Sequence, residues 1–241
     1  NGLIFSRNTT DSIDSIFGTL NDAAQLLRHG AGVGFAFSKI RSEGSFISST
    51  HGQSTGPLPY IKVYNELANA IKQGSYRRSA LMGILDVSHP DIEKFIAAKF
   101  EDGQLENFNI SVAITDKFME ALKNKKQFTL IDPHTKQKIK DIDAEKLFNS
   151  ICKYAHGSGD PGLFFIDEGN LYNPVEERML GTNPWGEEIL RSGESCNLIA
   201  INLNNFYKDE KIDWERLNKI IRLPLHFGDN VISKQYYPLE K

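Results

Sequence analysis

Cysteine is scarce in this chain of 241 residues, with two, Cys152 and Cys196. They form no CxxC pair and are too few for a disulfide framework, so two small reduced side chains are the plain expectation. The six histidines show no HExxH and no cysteine or carboxylate partner at ligand spacing, which predicts no metal site. No stretch approaches the roughly 18 apolar residues of a membrane span, and residues 1–10 lack a basic segment followed by an apolar one. Neither a membrane segment nor a signal peptide is expected, and a cytoplasmic location follows as the default. Charge of one sign is missing too: 28 Lys+Arg stand against 31 Asp+Glu, a formal −3. That balance removes the broad electrostatic case for nucleic-acid binding. A Walker lysine motif is absent, and the glycines of 30–34 open a strand instead of following one, which argues against a dinucleotide fingerprint.

What is present is globular. Hydrophobic residues make up 40% and charged residues 24% of the chain, close to the average for folded domains. Apolar residues at three- and four-residue spacing predict a helix over 11–29, with Asp11 as its cap and Gly30 as its stop. A short buried strand follows at 32–38. The loop at 39–56 is rich in Gly, Ser and Thr and carries Arg41 and Glu43 near its start; its length points to a binding role. Helical spacing resumes over 57–73, and a glycine-containing break at 74–79 precedes a strand at 80–86. A helix at 89–99 with Pro90 in its first turn, a strand at 107–115 and a helix at 116–124 come next. A hairpin is predicted over 127–131 and 137–142, where interleaved lysines and acids read as a solvated face. The remainder is a helix at 144–155, strands at 162–166 and 197–203, and a helix over 212–232 around Pro224. Strands alternating with helices predict an α/β fold with a largely parallel sheet, in one domain over 1–241.

Longer strings are more specific. Gly56-Pro-Leu-Pro-Tyr-Ile-Lys-Val-Tyr64 leads to Lys72-Gln-Gly-Ser-Tyr-Arg-Arg78, Met82-Gly-Ile-Leu85 and His89-Pro-Asp-Ile-Glu-Lys-Phe-Ile96. Then come Gly159-Asp-Pro-Gly-Leu-Phe-Phe-Ile-Asp167, Thr182-Asn-Pro-Trp-Gly-Glu187, Glu194-Ser-Cys-Asn-Leu198 and Ile201-Asn-Leu203. In this order the set resembles the large catalytic subunit of ribonucleotide reductase, most closely the adenosylcobalamin-dependent branch. The resemblance runs from Gly2 to Pro238. It implies about half of the family's ten-stranded α/β barrel, with the finger loop that threads it at 181–190.

The resemblance also implies roles. In the family motif Asn-Pro-Cys-Gly-Glu the cysteine becomes a thiyl radical that abstracts the ribose 3′ hydrogen. Here Asn183 would orient substrate hydroxyls, Glu187 would be the general base, and Trp185 stands in place of the cysteine. An indole has no thiol hydrogen to give up; apart from the resemblance, a large apolar residue packing the loop is the simple reading. Two further family cysteines on adjacent strands supply reducing electrons and close to a disulfide. Cys196 matches one and Ile4 occupies the other, so the pair cannot close. For regulation, Asp11 and Ser12 match the family's site for the ribose of a deoxynucleoside triphosphate effector. Two flexible loops flank that site: 38–56 with Arg41, and 73–79 with Gln73 and Arg77. Arginine suits phosphate because its planar fork donates paired hydrogen bonds.

Two functions follow as expectations. One is a catalytic-subunit core that is inactive as this chain, using adenosylcobalamin or a radical from a separate iron-dependent subunit. The other is a non-catalytic nucleotide-binding or assembly module. A half barrel would leave a sheet edge and an apolar face uncovered, which predicts a second copy or a complementary half-barrel chain as partner.

Overall fold

A computed structural model describes residues 4–71, 80–101 and 103–239. The chain opens with β1 (Ile4–Asn8), α1 (Ile13–Arg28) and β2 (Gly32–Ala36), then the short β3 (Phe46–Ile47) and β4 (Gly52–Gln53), then α2 (Pro57–Ala70) and β5 (Leu81–Asp86). It continues through α3 (Ile92–Ile96), β6 (Phe108–Ile114), α4 (Asp116–Lys123), the hairpin β7 (Gln127–Ile131) and β8 (Lys138–Asp143), α5 (Ala144–Ser158), β9 (Gly162–Phe165) and α6 (Ile166–Leu171). The last part holds β10 (Gly181–Thr182), β11 (Ile189–Leu190), β12 (Ser195–Cys196), a 3-10 turn at Leu203–Phe206, β13 (Tyr207–Lys208), β14 (Lys211–Ile212) and α7 (Trp214–Lys234).

One sheet of six strands, in the order β12-β1-β2-β5-β6-β9, organises the fold. Its five longer strands run parallel, as crossover helices require, and β12 joins antiparallel at the β1 edge. The described strands form an open sheet. Every residue of β2 is buried, because helices cover one face and residues 181–190 approach the other. The main core lies on the helical side. There Tyr64 of α2 meets Phe35 edge-on with ring centroids 4.9 Å apart and donates its hydroxyl proton to the Ile16 carbonyl of α1 at 2.6 Å. Such edge-on pairs add about 1 kcal/mol beyond area burial. At the start of β6, Lys99 reaches the Phe108 carbonyl and lies 2.6 Å from Asp160, whose other oxygen accepts the Ile110 amide.

Several expectations are corrected. α1 is capped by Ser12, whose hydroxyl accepts the Ser15 amide at 3.1 Å; Asp11 is drawn away by Arg41. The helix expected over 89–99 is regular only at Ile92–Ile96, because the His89 ring is buried and accepts the Asp91 amide, which sets a turn ahead of the helix. Residues 197–203 form no strand: only Ser195–Cys196 find a partner in β1, and beyond them Leu198 and Ile199 stand exposed. β1 itself was not evident from periodicity. Pro224 lies inside α7, as expected, and among the described residues no helix is long and apolar enough to cross a membrane.

Candidate functional site

The residues singled out from sequence fall into two groups at opposite ends of β1. Past its C-terminal end, Asp11 and Ser12 line a cleft of about 280 Å³ with Arg41, Ile40, Ile47, Ser49 and Ser54. Arg41 grips Asp11 twice, its backbone amide on Oδ1 at 3.1 Å and its Nε on Oδ2 at 2.7 Å, while Nη1 donates to the Phe46 carbonyl. Ser12 caps α1 and Ile13 and Asp14 begin it, so the N-terminus of a 16-residue helix borders this cleft. Gln73 and Arg77 lie outside the described residues.

Buried side chains hold loop 39–56 at several of its residues. His89 Nε2 donates to the Ile40 carbonyl at 2.8 Å, and Asp91 accepts the Glu43 amide at 2.9 Å. Asp132 accepts the hydroxyls of Ser42 and Ser45, while Ser45 and Ser54 close the loop neck, the Ser54 amide meeting the Ser45 carbonyl at 2.8 Å. The Asp91 amide donates to His89 Nδ1, which assigns the neutral Nε2–H tautomer. Burial pushes the His89 pKa below 6.5 against the pull of the Ile40 carbonyl and of Asp91, Asp86 and Asp132. Burial alone would raise Asp132, but the amides of Thr135 and His134 and the hydroxyls of Thr135 and Ser45 hold its carboxyl below the usual range. Positional spacing gave no hint of these anchors, since they sit 48 and 90 residues from the groups they hold.

At the other end of β1, Ile4 pairs in antiparallel register with Cys196. Burial raises the Cys196 thiol pKa, and the nearby carboxylates of Glu188 and Glu187 raise it further. β10 and β11 form a small hairpin whose tip is Asn183-Pro-Trp-Gly-Glu-Glu188. This tip lies across the glycines of β2: a Cβ on Gly32 would sit 2.6 Å from Pro184 Cγ, and one on Gly34 would overlap the Thr182 carbonyl. Asn109 of β6 fastens the loop by donating to the Pro184 carbonyl at 2.7 Å. Asn183 is fully buried; its Oδ1 accepts the Glu188 amide, whereas its Nδ2 has no partner among the described residues. Buried donors are seldom left this way.

Trp185 is 59% exposed, which corrects the expectation that it packs the loop; Glu187 is exposed beside it. Asn183, Glu187 and Cys196 therefore share one neighbourhood, separate from Asp11, Ser12 and Arg41. Asn109 and the paired glycines were missed as site residues, although small-large alternation in 32–38 carried part of the signal. Among the described residues, no three His, Cys, Asp or Glu side chains are grouped to hold a metal ion.

The chain matches the family model described as ribonucleotide reductase, barrel domain, over residues 4–241. A vitamin B12-dependent ribonucleoside-diphosphate reductase of Mycobacterium tuberculosis (strain CDC 1551 / Oshkosh) is 43% identical over 231 residues, covering 95% of this chain and 33% of that protein. The enzyme of the same name from Thermoplasma acidophilum is 41% identical over 235 residues, 96% of this chain and 31% of that protein. A vitamin B12-dependent ribonucleotide reductase of Streptomyces coelicolor is 31% identical over 268 residues, 98% of this chain and 28% of that protein. The chain thus spans a third or less of the length of these relatives.

Proposed function

Because the chain belongs to the ribonucleotide reductase barrel-domain family, we propose that it is a catalytic-subunit core with a nucleotide-effector cleft and a disabled radical centre. One observation carries this reading: Cys196 faces Ile4 in register, beside a finger loop whose tip bears Trp185. The reduction of a ribonucleotide by this family's chemistry needs a thiol at the loop tip and a thiol pair to supply two electrons. Only Cys196 remains. In such a site Asn183 would offer its unpaired Nδ2–H to a ribose hydroxyl, and Glu187 would take the proton from the 3′-hydroxyl.

The relatives named above are vitamin B12-dependent by name. Adenosylcobalamin chemistry in this family passes its radical to the loop-tip thiol, and Trp185 offers no sulfur. The residues here do not fit that role, and Trp185 equally offers no thiol to a radical from an iron-dependent subunit. The cleft needs neither. Its arginine, its helix N-terminus and the Asp11 carboxylate suit the phosphates and the ribose of a deoxynucleoside triphosphate. That arrangement favours the second reading, a nucleotide-binding or assembly module, wherever turnover is absent.

A partner is part of the proposal. β9 is the last strand of the sheet, with Leu163 and Phe165 exposed, and α7 turns Leu223, Leu225 and Phe227 to solvent. A second copy or a complementary chain segment would cover them, in a cytoplasmic setting. Calorimetric titration of the intact protein with deoxynucleoside triphosphates should show binding that Arg41→Ala weakens. Wild-type protein should not reduce ribonucleotides, whereas Trp185→Cys with Ile4→Cys, supplied with the complementary half barrel, a reductant and a radical source, should turn over. Turnover by the wild type would overturn the reading of a disabled centre.

A further inference from the structure

The hairpin β7–β8 has no part in the function proposed above, yet its turn reaches Asp11, a residue that lines the nucleotide cleft. Asp132 opens that turn and is 3% exposed. One of its oxygens accepts the amides of His134 and Thr135, at 2.9 and 2.7 Å, and the Thr135 hydroxyl at 3.1 Å. The other accepts the hydroxyls of Ser45, at 3.1 Å, and Ser42, at 3.4 Å. A single carboxylate thus shapes the turn on one side and holds loop 39–56 on the other. Arg41 is the residue before Ser42, so this anchor fixes where the guanidinium emerges.

The same turn presents His134, whose Nδ1 lies 3.5 Å from Asp11 Oδ2, the oxygen that Arg41 Nε also approaches. Imidazole and guanidinium converge on one carboxylate at the rim of the cleft. Their accessibility differs. The side chains of Asp11 and Arg41 are 15% and 17% exposed, and Arg41 spends Nε and Nη1 on Asp11 and Phe46; His134 is 59% exposed. Of the three, His134 is the group most open to an anion arriving from solvent.

We propose that the β7–β8 turn is a third element of the nucleotide cleft, in which Asp132 positions loop 39–56 and His134 donates to the phosphates of the bound nucleotide. This rests on the cleft reading above and adds a contact residue and a positioning residue to it. Charged groups near His134 include Asp11 before α1, its partner Arg41 on loop 39–56, and Asp132 on its own turn. With Arg41 Nε and Nη1 already engaged, the exposed imidazole adds a further donor to the ligand beside the rest of the guanidinium.

The test is calorimetric titration of the intact protein with each of the four deoxynucleoside triphosphates at fixed pH and salt, with a thermal midpoint for every variant. His134→Ala should lose about tenfold in affinity, the weight of one charge-assisted hydrogen bond. His134→Lys, which restores a cationic donor, should recover most of it. Lys138→Ala, which removes a charge beyond the same turn, should bind as wild type. Asp132→Ala should lose at least as much as His134→Ala. Asp132→Asn should stay within about twofold, because serine hydroxyls can accept from an amide as readily as donate to a carboxylate. If Arg41→Ala loses binding while His134→Ala keeps wild-type affinity, the phosphate contact is refuted and the cleft stands. If Asp132→Asn folds with an unchanged midpoint but loses binding as Arg41→Ala does, the positioning role through hydroxyl hydrogen bonds is refuted. If wild type binds no nucleotide, the cleft reading falls, and this extension with it.

Discussion

Replacing Gly34 by alanine would put a methyl group onto the Thr182 carbonyl, overlapping its oxygen and lying 2.9 Å from its carbon. The obstacle is backbone, which has no rotamer to escape into. Either β2 or the β10–β11 hairpin must move. Overpacking of this kind costs about 1–3 kcal/mol. For a domain of this size each kcal/mol shifts the midpoint by roughly 2–4 °C, so a fall of about 2–12 °C is expected. Gly32→Ala should be milder, since its methyl would meet a ring carbon of Pro184 at 2.6 Å, and ring puckering relieves part of the clash. Gly18→Ala is the control of opposite sign: it lies within α1 with nothing within 4 Å of the added Cβ, and should stabilise by about 0.5–1 kcal/mol. Scanning calorimetry of the three variants, with proteolysis at Arg191 as a readout of hairpin docking, makes the comparison. A Gly34→Ala protein with an unchanged midpoint and unchanged cleavage would refute the packing of the finger loop on β2.

Burial lowers the folded pKa of His89 below 6.5, so on acidification the unfolded chain takes up the proton first. Its contribution to stability is therefore complete above pH 6.5 and declines as pH falls below that value, levelling off under the folded pKa. Thermal midpoints of wild type and His89→Gln between pH 8 and 5 should converge on the acid side; a constant gap would contradict the assignment. Lys99→Met strips Asp160 of its cation at a site where both side chains are about 15% exposed, and should cost about 3 kcal/mol in a denaturant titration. A loss under 1 kcal/mol would mean that the pair is solvated. Ile4→Cys in a Cys152→Ser background should oxidise to a disulfide with Cys196, because paired antiparallel residues stand about 4.5–5.5 Å apart at Cα, within disulfide reach. Two titratable thiols persisting after oxidation would show that the β1–β12 register is wrong.

Legibility in the sequence followed the range of the interactions. The parallel strands β2, β5, β6 and β9 and the helices α1, α2, α4 and α5 could be read because apolar spacing is local, within each element's own residues. β1 escaped because Ile4–Asn8 alternates weakly and owes its strand state to β2, residue for residue. Residues 197–203 failed in the opposite sense: alternation was there, but only two residues found a partner strand. In the site, the grouping of Asp11 with Arg41 was legible only through the family resemblance, and the supports were not legible at all. His89, Asp91 and Asp132 look like ordinary turn residues in sequence. Their role arises from hydrogen bonds that span tens of residues, and no periodicity encodes those.

Of the two positions that the family resemblance assigns to thiols, Trp185 asks little of the scaffold. Glycine weakens a strand by roughly 0.5–1 kcal/mol relative to alanine, so two of them within five residues of β2 need a reason. The approach of Thr182 and Pro184 is that reason, and it involves the backbone and the proline ring on either side of residue 185 while leaving the indole out. The Asn109 bond to the Pro184 carbonyl and the Asn183 bond to the Glu188 amide also hold the loop without using the side chain at 185. Because Trp185 is 59% exposed, replacing it with cysteine removes little buried area and opens no core cavity. The loop should keep its path in Trp185→Cys, with a midpoint within about 0.5 kcal/mol of wild type, the range for surface substitutions. A large loss of stability would show that the indole carries packing in the assembled protein, and that the loss of the thiol cannot be separated from the fold.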